Sequence, residues 1–320
     1  MKIIFTDYKN IWKKVPCAYC AVLVLVIFYT AFTDHFLTVE NFVNLIQQAT
    51  LLGILSLGMT LVILTMGIDL SAGMIATLCG VVLALYLKSG GSILGALLVS
   101  MGVGALAGFF NGIFIAIFRM PPFVVTFGTM GMCIGLSLAL TDAASIPGLG
   151  EDFMWIANGF VGGIPFPLIV LMVLLAVVYI ILFHTRLGTY IFSLGGNEEA
   201  VRLSGINTVF YKGAVYVIAG MLYGIGALIM TSRINAAHPL VGFGLEFEAI
   251  VAVIIGGTAF TLGRGGNPVG TLMGAATIAI LKNGMQIMDV HPSLQIVLVG
   301  VFLILALIYD TYREKAEQRS

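Results

Sequence analysis

Charged residues are scarce in this sequence. Asp, Glu, Lys and Arg make up only 9% of its 320 residues, whereas hydrophobic residues make up 60%. Because a soluble globular domain carries roughly 25% charged residues, so few charges cannot cover a water-facing surface. The composition therefore excludes a soluble domain and indicates a protein whose solvent is lipid. The formal net charge is zero, and no sequence feature indicates a nucleic-acid partner.

Several catalytic and cofactor signatures are also missing. There is no GxxxxGK[ST] phosphate-binding loop, so any ATP and Mg²⁺ must bind to another chain. His35, His184, His238 and His291 have no metal-ligand spacing, and no metal site is predicted. No Ser-His-Asp arrangement can be argued from spacing. We therefore expect that the chain is not an enzyme and binds no cofactor itself.

Cysteine is rare, with four residues in the whole chain. Cys17 and Cys20 form a CxxC spacing, which can indicate redox chemistry, but they open an apolar run with no βαβ pattern nearby. Helix packing is therefore the favoured interpretation of both residues. No cleavable signal is predicted, because Lys13 and Lys14 precede a run long enough to span a membrane and no small-residue cleavage site follows.

Long uncharged stretches dominate the chain. Ten of them have at least fifteen residues, and a membrane span needs roughly 17–25. Backbone polar groups in lipid must be satisfied within the segment, so these stretches should be helices. We predict an all-α polytopic membrane protein with about ten transmembrane helices, forming a single domain over residues 1–320. The stretches are 15–33, 41–68, 70–87, 89–118, 120–141, 153–183, 213–232, 249–263, 265–281 and 290–309.

The positions of Lys and Arg predict the orientation of these helices. If the N-terminus is cytoplasmic and each stretch crosses once, twelve of the 15 basic residues fall inside. Only Lys88, Arg233 and Lys282 fall outside or near the outer edge. Ten crossings also place the C-terminus in the cytoplasm. The predicted outer loops are then 34–42, 88–91, 141–164, 233–247 and 286–293, and the main inner loop is about 184–212.

One polar stretch of that inner loop, Gly195–Tyr211, carries a compact charge pattern. If it is helical, Glu198 and Arg202 lie four residues apart on one face, an arrangement that supports a short helix. Gly205 stands where a glycine would end it. We therefore predict a short helix held outside the membrane by a protein that otherwise lies inside one.

Two places interrupt the helical pattern. In the first, Met66–Gly73, polar residues lie between glycines, which indicates a broken helix or a re-entrant turn. Asp69 in this break is the one acid deep in apolar sequence, and intramembrane carboxylates are functional candidates because burying their charge is costly. The alternative, which we favour, is that Asp69 caps the following helix near the cytoplasmic face. The second interruption runs from Gly256 to Pro268.

Three charged residues adjoin the second interruption. Glu246 and Glu248 are expected just outside the membrane. In the first turn of a helix, their negative charges would interact favourably with the helix dipole. The alternative is that they form a docking surface for an external partner. Lys282 is expected near the outer end of its span, where it either snorkels or faces a polar cavity.

Several segments resemble a known family. Glu199-Ala200-Val201 followed by Gly205 resembles the EAA-x3-G cytoplasmic loop of bacterial ABC importer permeases. Further segments, in order along residues 40 to 305, resemble the ribose/xylose/galactoside-type sugar permeases. These segments are Gly58–Thr65, Gly67–Ser71, Pro122–Thr126, Thr185–Gly188, Gly195–Ala200, Arg202–Asn207, Glu248–Ile250, Gly256–Thr258 and Asn283–Gly284.

The resemblance implies a type II-like ABC importer permease in the bacterial inner membrane. It also implies a second permease copy, identical or homologous, a cytoplasmic ATPase that binds ATP and Mg²⁺, and a periplasmic or lipid-anchored sugar-binding protein. By analogy, coupling to the ATPase falls on Glu198, Glu199, Ala200, Arg202 and Gly205. The candidate translocation path comprises Asp69, Ser71, Thr258 and Asn283.

Some positions depart from the family pattern. The loop Thr261–Gly266 is one residue longer than usual, Lys282 stands where Asn is common, and Glu248 stands where Asp is common. The resulting hypothesis is the permease subunit of an ATP-driven importer for a monosaccharide (a pentose or hexose) or a similar small solute. The alternatives are an ion-coupled secondary carrier, for which Asp69 is the one clear titratable candidate, and a membrane scaffold that transports nothing.

Overall fold

The computed structural model describes residues 16–259 and 265–317, and within them the chain is almost entirely helical. The helices are α1 Pro16–Phe32, α2 Val39–Leu64, α3 Ala72–Lys88, α4 Ile93–Gly112, α5 Pro122–Thr141, α6 Glu151–Asn158, α7 Phe166–His184, α8 Arg186–Leu203, α9 Thr208–Ile234, α10 Leu245–Ile255, α11 Pro268–Ile287 and α12 Pro292–Glu317. A π-helical turn, Ile113–Ile117, extends α4.

Each of the ten apolar stretches overlaps at least one of these helices, so the all-helical prediction is confirmed. Within the described residues, five helices are long and apolar enough to cross a membrane by themselves. These are α2, α4 with its π-helical turn, α5, α7 and α9. Two helices are additional to the ten predicted spans: α6, which overlaps the start of the stretch 153–183, and α8, which lies in the predicted inner loop 184–212. The longer loop predicted over Thr261–Gly266 lies mostly outside the described residues.

The bundle is organised around α2 and α9. Helix α9 packs against α4, α2 and α3, while α11 packs against α2 and α10. The peripheral helices instead expose large apolar side chains, such as Leu106 on α4, Phe127 on α5 and Val173 on α7. Such a surface suits a hydrocarbon environment, in which lipid covers the apolar side chains.

Glycines let α4 and α9 approach until their backbones touch. A methyl group built on Gly104 would overlap the carbonyl oxygen of Gly220, and one built on Gly108 would overlap that of Tyr216. Ser100 Oγ donates a 2.6 Å hydrogen bond to the Gly224 carbonyl in the same interface. Lipid tails are as apolar as leucine, so close packing of this kind is a main source of helix association in membranes.

Two short antiparallel ladders tie the connecting segments together. β1, Ile146–Pro147, pairs with β4, Ala236–Ala237, and β2, Phe160–Val161, pairs with β3, Ile164–Pro165. The β1–β4 ladder joins two segments, 141–164 and 233–247, that the sequence places on the same side of the membrane. Lys88 Nζ also donates to the Gly148 carbonyl at 2.8 Å, so the end of α3 lies at this same end of the bundle.

Candidate functional site

A short exposed helix lies at residues 198–203, within the last part of α8. Its start is set by Asn197, whose φ of −163° and ψ of 96° interrupt α8. Asn197 Oδ1 accepts a 2.9 Å hydrogen bond from the Ala200 backbone N–H, as an N-terminal cap does. We call residues 198–203 the projecting helix, since all of them except Val201 are exposed.

The projecting helix ends as the sequence predicts. Gly205 has a φ of +80°, a left-handed conformation that glycine adopts without steric cost. Its N–H donates to the Arg202 carbonyl at 3.0 Å, and the N–H of Ile206 donates to the Val201 carbonyl at 3.4 Å. This pair of bonds is the Schellman arrangement, which satisfies carbonyl groups that the helix end leaves free.

The ion pairs differ from the predicted one. Arg202 pairs with Glu199, three residues away, rather than with Glu198 four residues away; the distance from Nη2 to Oε1 is 2.5 Å. Glu198 instead binds Lys212 Nζ at 2.6 Å, which ties the projecting helix to the first turns of α9. The prediction was wrong because Lys212, absent from any local helix pattern, takes the Glu198 carboxylate.

Electrostatics keep the Glu199 carboxylate ionised. The hydrogen bond from Arg202 lowers the pKa of Glu199 below its usual value, and the positive charges of Arg202 and Arg119 add to this effect. The same pair raises the pKa of Arg202. Arg119 precedes α5, so its influence places the α4–α5 connection at the same end of the bundle as the projecting helix.

The projecting helix presents an apolar side chain beside its charges. Leu203 is 75% exposed and Phe210, just after the helix, is 63% exposed. The Glu199 side chain is 61% exposed. Solvent-exposed charged and apolar side chains thus lie together at one helix end. Such a surface suits binding to a protein partner.

Two of the four predicted path residues lie together in a buried polar network. Asp69 accepts a 2.9 Å hydrogen bond from the Ser71 backbone N–H and a short one from the Ser71 hydroxyl. Asn111 Nδ2 donates to Ser71 Oγ at 3.0 Å, and Thr129 donates to Asn111 Oδ1 at 2.6 Å. The four side chains are all buried. The network therefore links the break between α2 and α3 to α4 and α5.

The position of Asp69 corrects the sequence-based expectation. Its carboxylate makes the local bond expected of a cap, but regular helix begins only at Ala72, after Ser71. Asp69 lies close enough to Tyr216 and Tyr223 to act on both electrostatically. These tyrosines are eight and fifteen residues into α9, or about 12 and 22 Å along its axis. Asp69 is therefore well inside the bundle, not at the end where α9 begins, so the expected position at a membrane face was wrong.

The other two path residues lie apart from Asp69. Asn283 on α11 exchanges two hydrogen bonds with Asn41 on α2, at 3.0 and 2.7 Å. Thr258 follows α10 and is fully buried, and its hydroxyl has no hydrogen-bond partner among the described residues. The structure thus brings together Asp69 and Ser71 but not all four residues. No group of three His, Cys, Asp or Glu side chains arranged to hold a metal ion occurs within the described ranges.

Glu246 and Glu248 are buried rather than external. They are 0% and 9% exposed, although both do lie in the first turn of α10. The segment before α10 folds back into the bundle, where the Gly242 N–H donates to Thr77 Oγ1 in the second turn of α3. A role for the two acids as a docking surface for an external partner is therefore excluded. Glu248 instead forms a 2.6 Å ion pair with Lys282 on α11.

This ion pair lines a cleft of about 220 Å³ between α2, α9, α10 and α11. The cleft is also lined by Arg233, Gln48 and Gln286. Of the expectations for Lys282, the polar cavity is the one observed. Sequence reasoning placed Arg233 in an outer loop and did not consider the two glutamines, because each lies on a different helix and no local spacing connects them.

Comparisons with known proteins place the chain in a family. The family described as “Branched-chain amino acid transport system / permease component” matches residues 41–307. The chain is 34% identical over 311 residues to the ribose import permease protein RbsC of Escherichia coli (strain K12), which covers 96% of this chain and 97% of that protein.

Two further relatives agree with this placement, although no solved structure matches the chain significantly. The RbsC protein of Bacillus subtilis (strain 168) is 36% identical over 91% of each chain. The D-allose transport system permease protein AlsC of Escherichia coli (strain K12) is 32% identical over 95% of this chain and 93% of its own. This chain therefore belongs to the permease-component family and is a multi-pass protein of the cytoplasmic membrane, similar to sugar import permeases.

Proposed function

We propose that this chain is the permease subunit of an ATP-driven ABC importer for a monosaccharide or a similar small solute. The similarity to ribose and allose permeases over more than nine-tenths of the chain supports the solute class. The partners in this proposal are a cytoplasmic ATPase that binds ATP and Mg²⁺, an external sugar-binding protein and a second permease copy. The chain itself then supplies passage and coupling, not catalysis.

The projecting helix is the observation on which the coupling proposal rests. Its backbone is capped at both ends and its charges form ion pairs, while its side chains are open to a partner. We propose that Glu198, Glu199, Ala200, Arg202 and Gly205 form or shape the surface that the ATPase binds. A partner that binds two states of the permease differently can bias the equilibrium between them.

We further propose ten membrane crossings with both termini in the cytoplasm. In this arrangement the projecting helix faces the cytoplasm, and the β1–β4 ladder faces the external binding protein. Helices broken within a bundle suit alternating access, because the break can absorb a change in backbone angles. Asp69, Ser71 and Thr258 lie at such interruptions, whereas Asn283 lies within α11 and is bonded to Asn41 on α2. We propose that the moving parts of the path are at the two interruptions.

An ion-coupled secondary carrier is the rival hypothesis. It requires a titratable group that meets both solvent and substrate. Asp69 is 1% exposed and is held by Ser71, and it does not line the cleft between α2, α9, α10 and α11. Among residues 16–259 and 265–317, we find no feature that favours the rival over the ATP-driven mechanism.

Transport by the reconstituted complex tests the proposed function. The permease, its ATPase and its binding protein are placed in liposomes, and uptake of radiolabelled D-ribose, D-allose and D-galactose is measured with and without ATP. We expect uptake of at least one sugar that needs ATP and survives an uncoupler. Uptake that an uncoupler abolishes and ATP depletion spares would favour the secondary carrier, and ATPase binding without uptake of any solute would favour the scaffold.

A further inference from the structure

The cleft lies at the end of the bundle opposite the projecting helix. On α9 it is lined by Met230, Arg233 and Ile234, whereas the projecting helix precedes Thr208 at the start of α9. Arg233 lies 25 residues after Thr208, a separation of about 37 Å along the helix. The two sites are therefore separated by nearly the full length of α9.

The inner part of the cleft is formed by the start of a helix that begins inside the bundle. Helix α10 starts at Leu245, which lines the cleft together with Glu248. The preceding turn contacts Gly73 and Thr77, about 22 and 16 Å along α3 from Lys88 at its end. The cleft thus reaches the start of α10, and the turn before α10 contacts the break between α2 and α3. Solute sites of transporters built from broken helices are found near such breaks.

The polar groups in the cleft suit hydroxyl groups. Arg233 Nε donates a 3.2 Å bond to Gln47, and its two terminal nitrogens form no hydrogen bond with any described residue. Glu248 Oε1 accepts from Lys282 at 2.6 Å, and Gln48 donates to Gln286 at 3.2 Å. The Lys282 side chain remains 26% exposed. The cleft therefore contains both hydrogen-bond donors and acceptors, and a hydroxyl group can bind to either kind.

The size of the cleft limits what can enter it. Its volume of about 220 Å³ is below the roughly 300–1,000 Å³ of pockets for drug-sized ligands. This volume suits a small solute the size of a single sugar ring. The remaining lining residues are apolar, and the C–H face of a sugar can pack against them. They are Leu51, Leu52, Met230, Ile234, Val241, Leu245 and Ala279.

We propose that this cleft is a solute-binding station of the permease itself. In it, Arg233, Glu248 and Lys282 bind the hydroxyl groups of a neutral, monosaccharide-sized solute. This assignment rests on the proposed function, since it supplies a place for the imported solute between the binding protein and the rest of the path. The affinity is low, because tight binding would slow release toward the cytoplasm.

Protection from a thiol reagent tests the assignment. Gln286 is exposed at the cleft, and Cys79 and Cys133 are buried. In the reconstituted complex, Gln286→Cys is labelled with a small neutral maleimide, with and without D-ribose, D-allose or D-galactose. Labelling is measured against the unsubstituted permease, and the matched control is Ser89→Cys, which is exposed at the same end but outside the cleft.

We expect a transported sugar to slow the labelling of Gln286→Cys at least fivefold and to leave Ser89→Cys unchanged. The double variant Glu248→Gln with Lys282→Gln, which removes both charges together, should lower sugar uptake about tenfold. A sugar that is transported while Gln286→Cys is labelled at an unchanged rate, with normal uptake by the double variant, would overturn the station and leave the proposed function intact. Failure of the unsubstituted complex to transport any of the sugars would instead overturn the proposed function, and the station with it.

Discussion

Arg202 holds Glu199 on the projecting helix with two hydrogen bonds, from Nε at 2.9 Å and from Nη2 at 2.5 Å. A two-point contact of this kind fixes the orientation of both side chains better than a single bond does. Because both side chains are solvent-exposed, the pair contributes little to the stability of the chain. In the proposed function, this fixed pair is part of the surface that the ATPase binds.

Reversing the charge of Glu199 should uncouple the ATPase. In Glu199→Lys two cations face each other on the projecting helix, so the surface changes charge while the exposed position keeps the fold. We expect at least a tenfold loss of ATPase binding and of solute-dependent ATP hydrolysis, measured in liposomes. The matched control Glu151→Lys alters an exposed acid on α6 and should behave as wild type; equal losses in both variants would argue against a specific role of Glu199.

Gly205 should be required for the end of the projecting helix. An alanine there must adopt a positive φ, which costs roughly 1–2 kcal/mol. We expect Gly205→Ala to speed amide hydrogen exchange in residues 198–206 and to weaken ATPase binding. Gly196→Ala is the control, because Gly196 has neither a positive φ nor a heavy atom within reach of an added methyl group. Unchanged exchange in Gly205→Ala would contradict the cap.

The contact between α4 and α9 should tolerate no added methyl group. Gly104→Ala forces the two backbones apart, and overpacking of this kind costs about 1–3 kcal/mol. The expected result is a lower thermal unfolding temperature in detergent. Gly102→Ala, on the same helix but with open space around it, should unfold at the wild-type temperature or slightly above it; a similar loss in both variants would show that the α4–α9 contact is not the cause.

Asp69 should serve the structure rather than an ion gradient. Asp69→Ala leaves the buried Ser71 N–H and hydroxyl without their acceptor, at a cost of about 1–3 kcal/mol per unsatisfied group. Asp69→Asn retains the acceptor oxygen, so we expect it to be more stable than Asp69→Ala and to sustain ATP-dependent uptake that an uncoupler does not affect. Complete loss of uptake in a well-folded Asp69→Asn protein would support a role for proton exchange.

The sequence was informative wherever local chemistry decides the structure. The length of the uncharged stretches predicted the helices. Gly205 predicted the end of the projecting helix, because the preference for a positive φ depends on the residue type at that one position. The predicted ion-pair partner of Arg202 was wrong, since residues three and four positions away are both neighbours on a helix. The choice between them depended on Lys212, which approaches through the tertiary fold.

The depth of the interruptions could not be read from the sequence. Counting each apolar stretch as one complete crossing placed Asp69 near the cytoplasm and Glu246 outside the membrane. In the structure, both lie within the bundle, because the segment before α10 folds back onto the first turns of α3. The cleft was missed for the same reason: Arg233, Glu248 and Lys282 lie on three helices, and only their packing brings them together.

The side of the membrane that the projecting helix faces is the point on which the account depends most. It can be measured by labelling a Glu199→Cys permease with a membrane-impermeant maleimide. The labelling is done first in whole cells with a permeabilised outer membrane and then in inverted membrane vesicles. Ser89→Cys, at the opposite end of the bundle, gives the reciprocal control. We predict that Glu199→Cys is labelled in inverted vesicles and Ser89→Cys in cells; labelling of Glu199→Cys only in cells would contradict the coupling of this permease to a cytoplasmic ATPase.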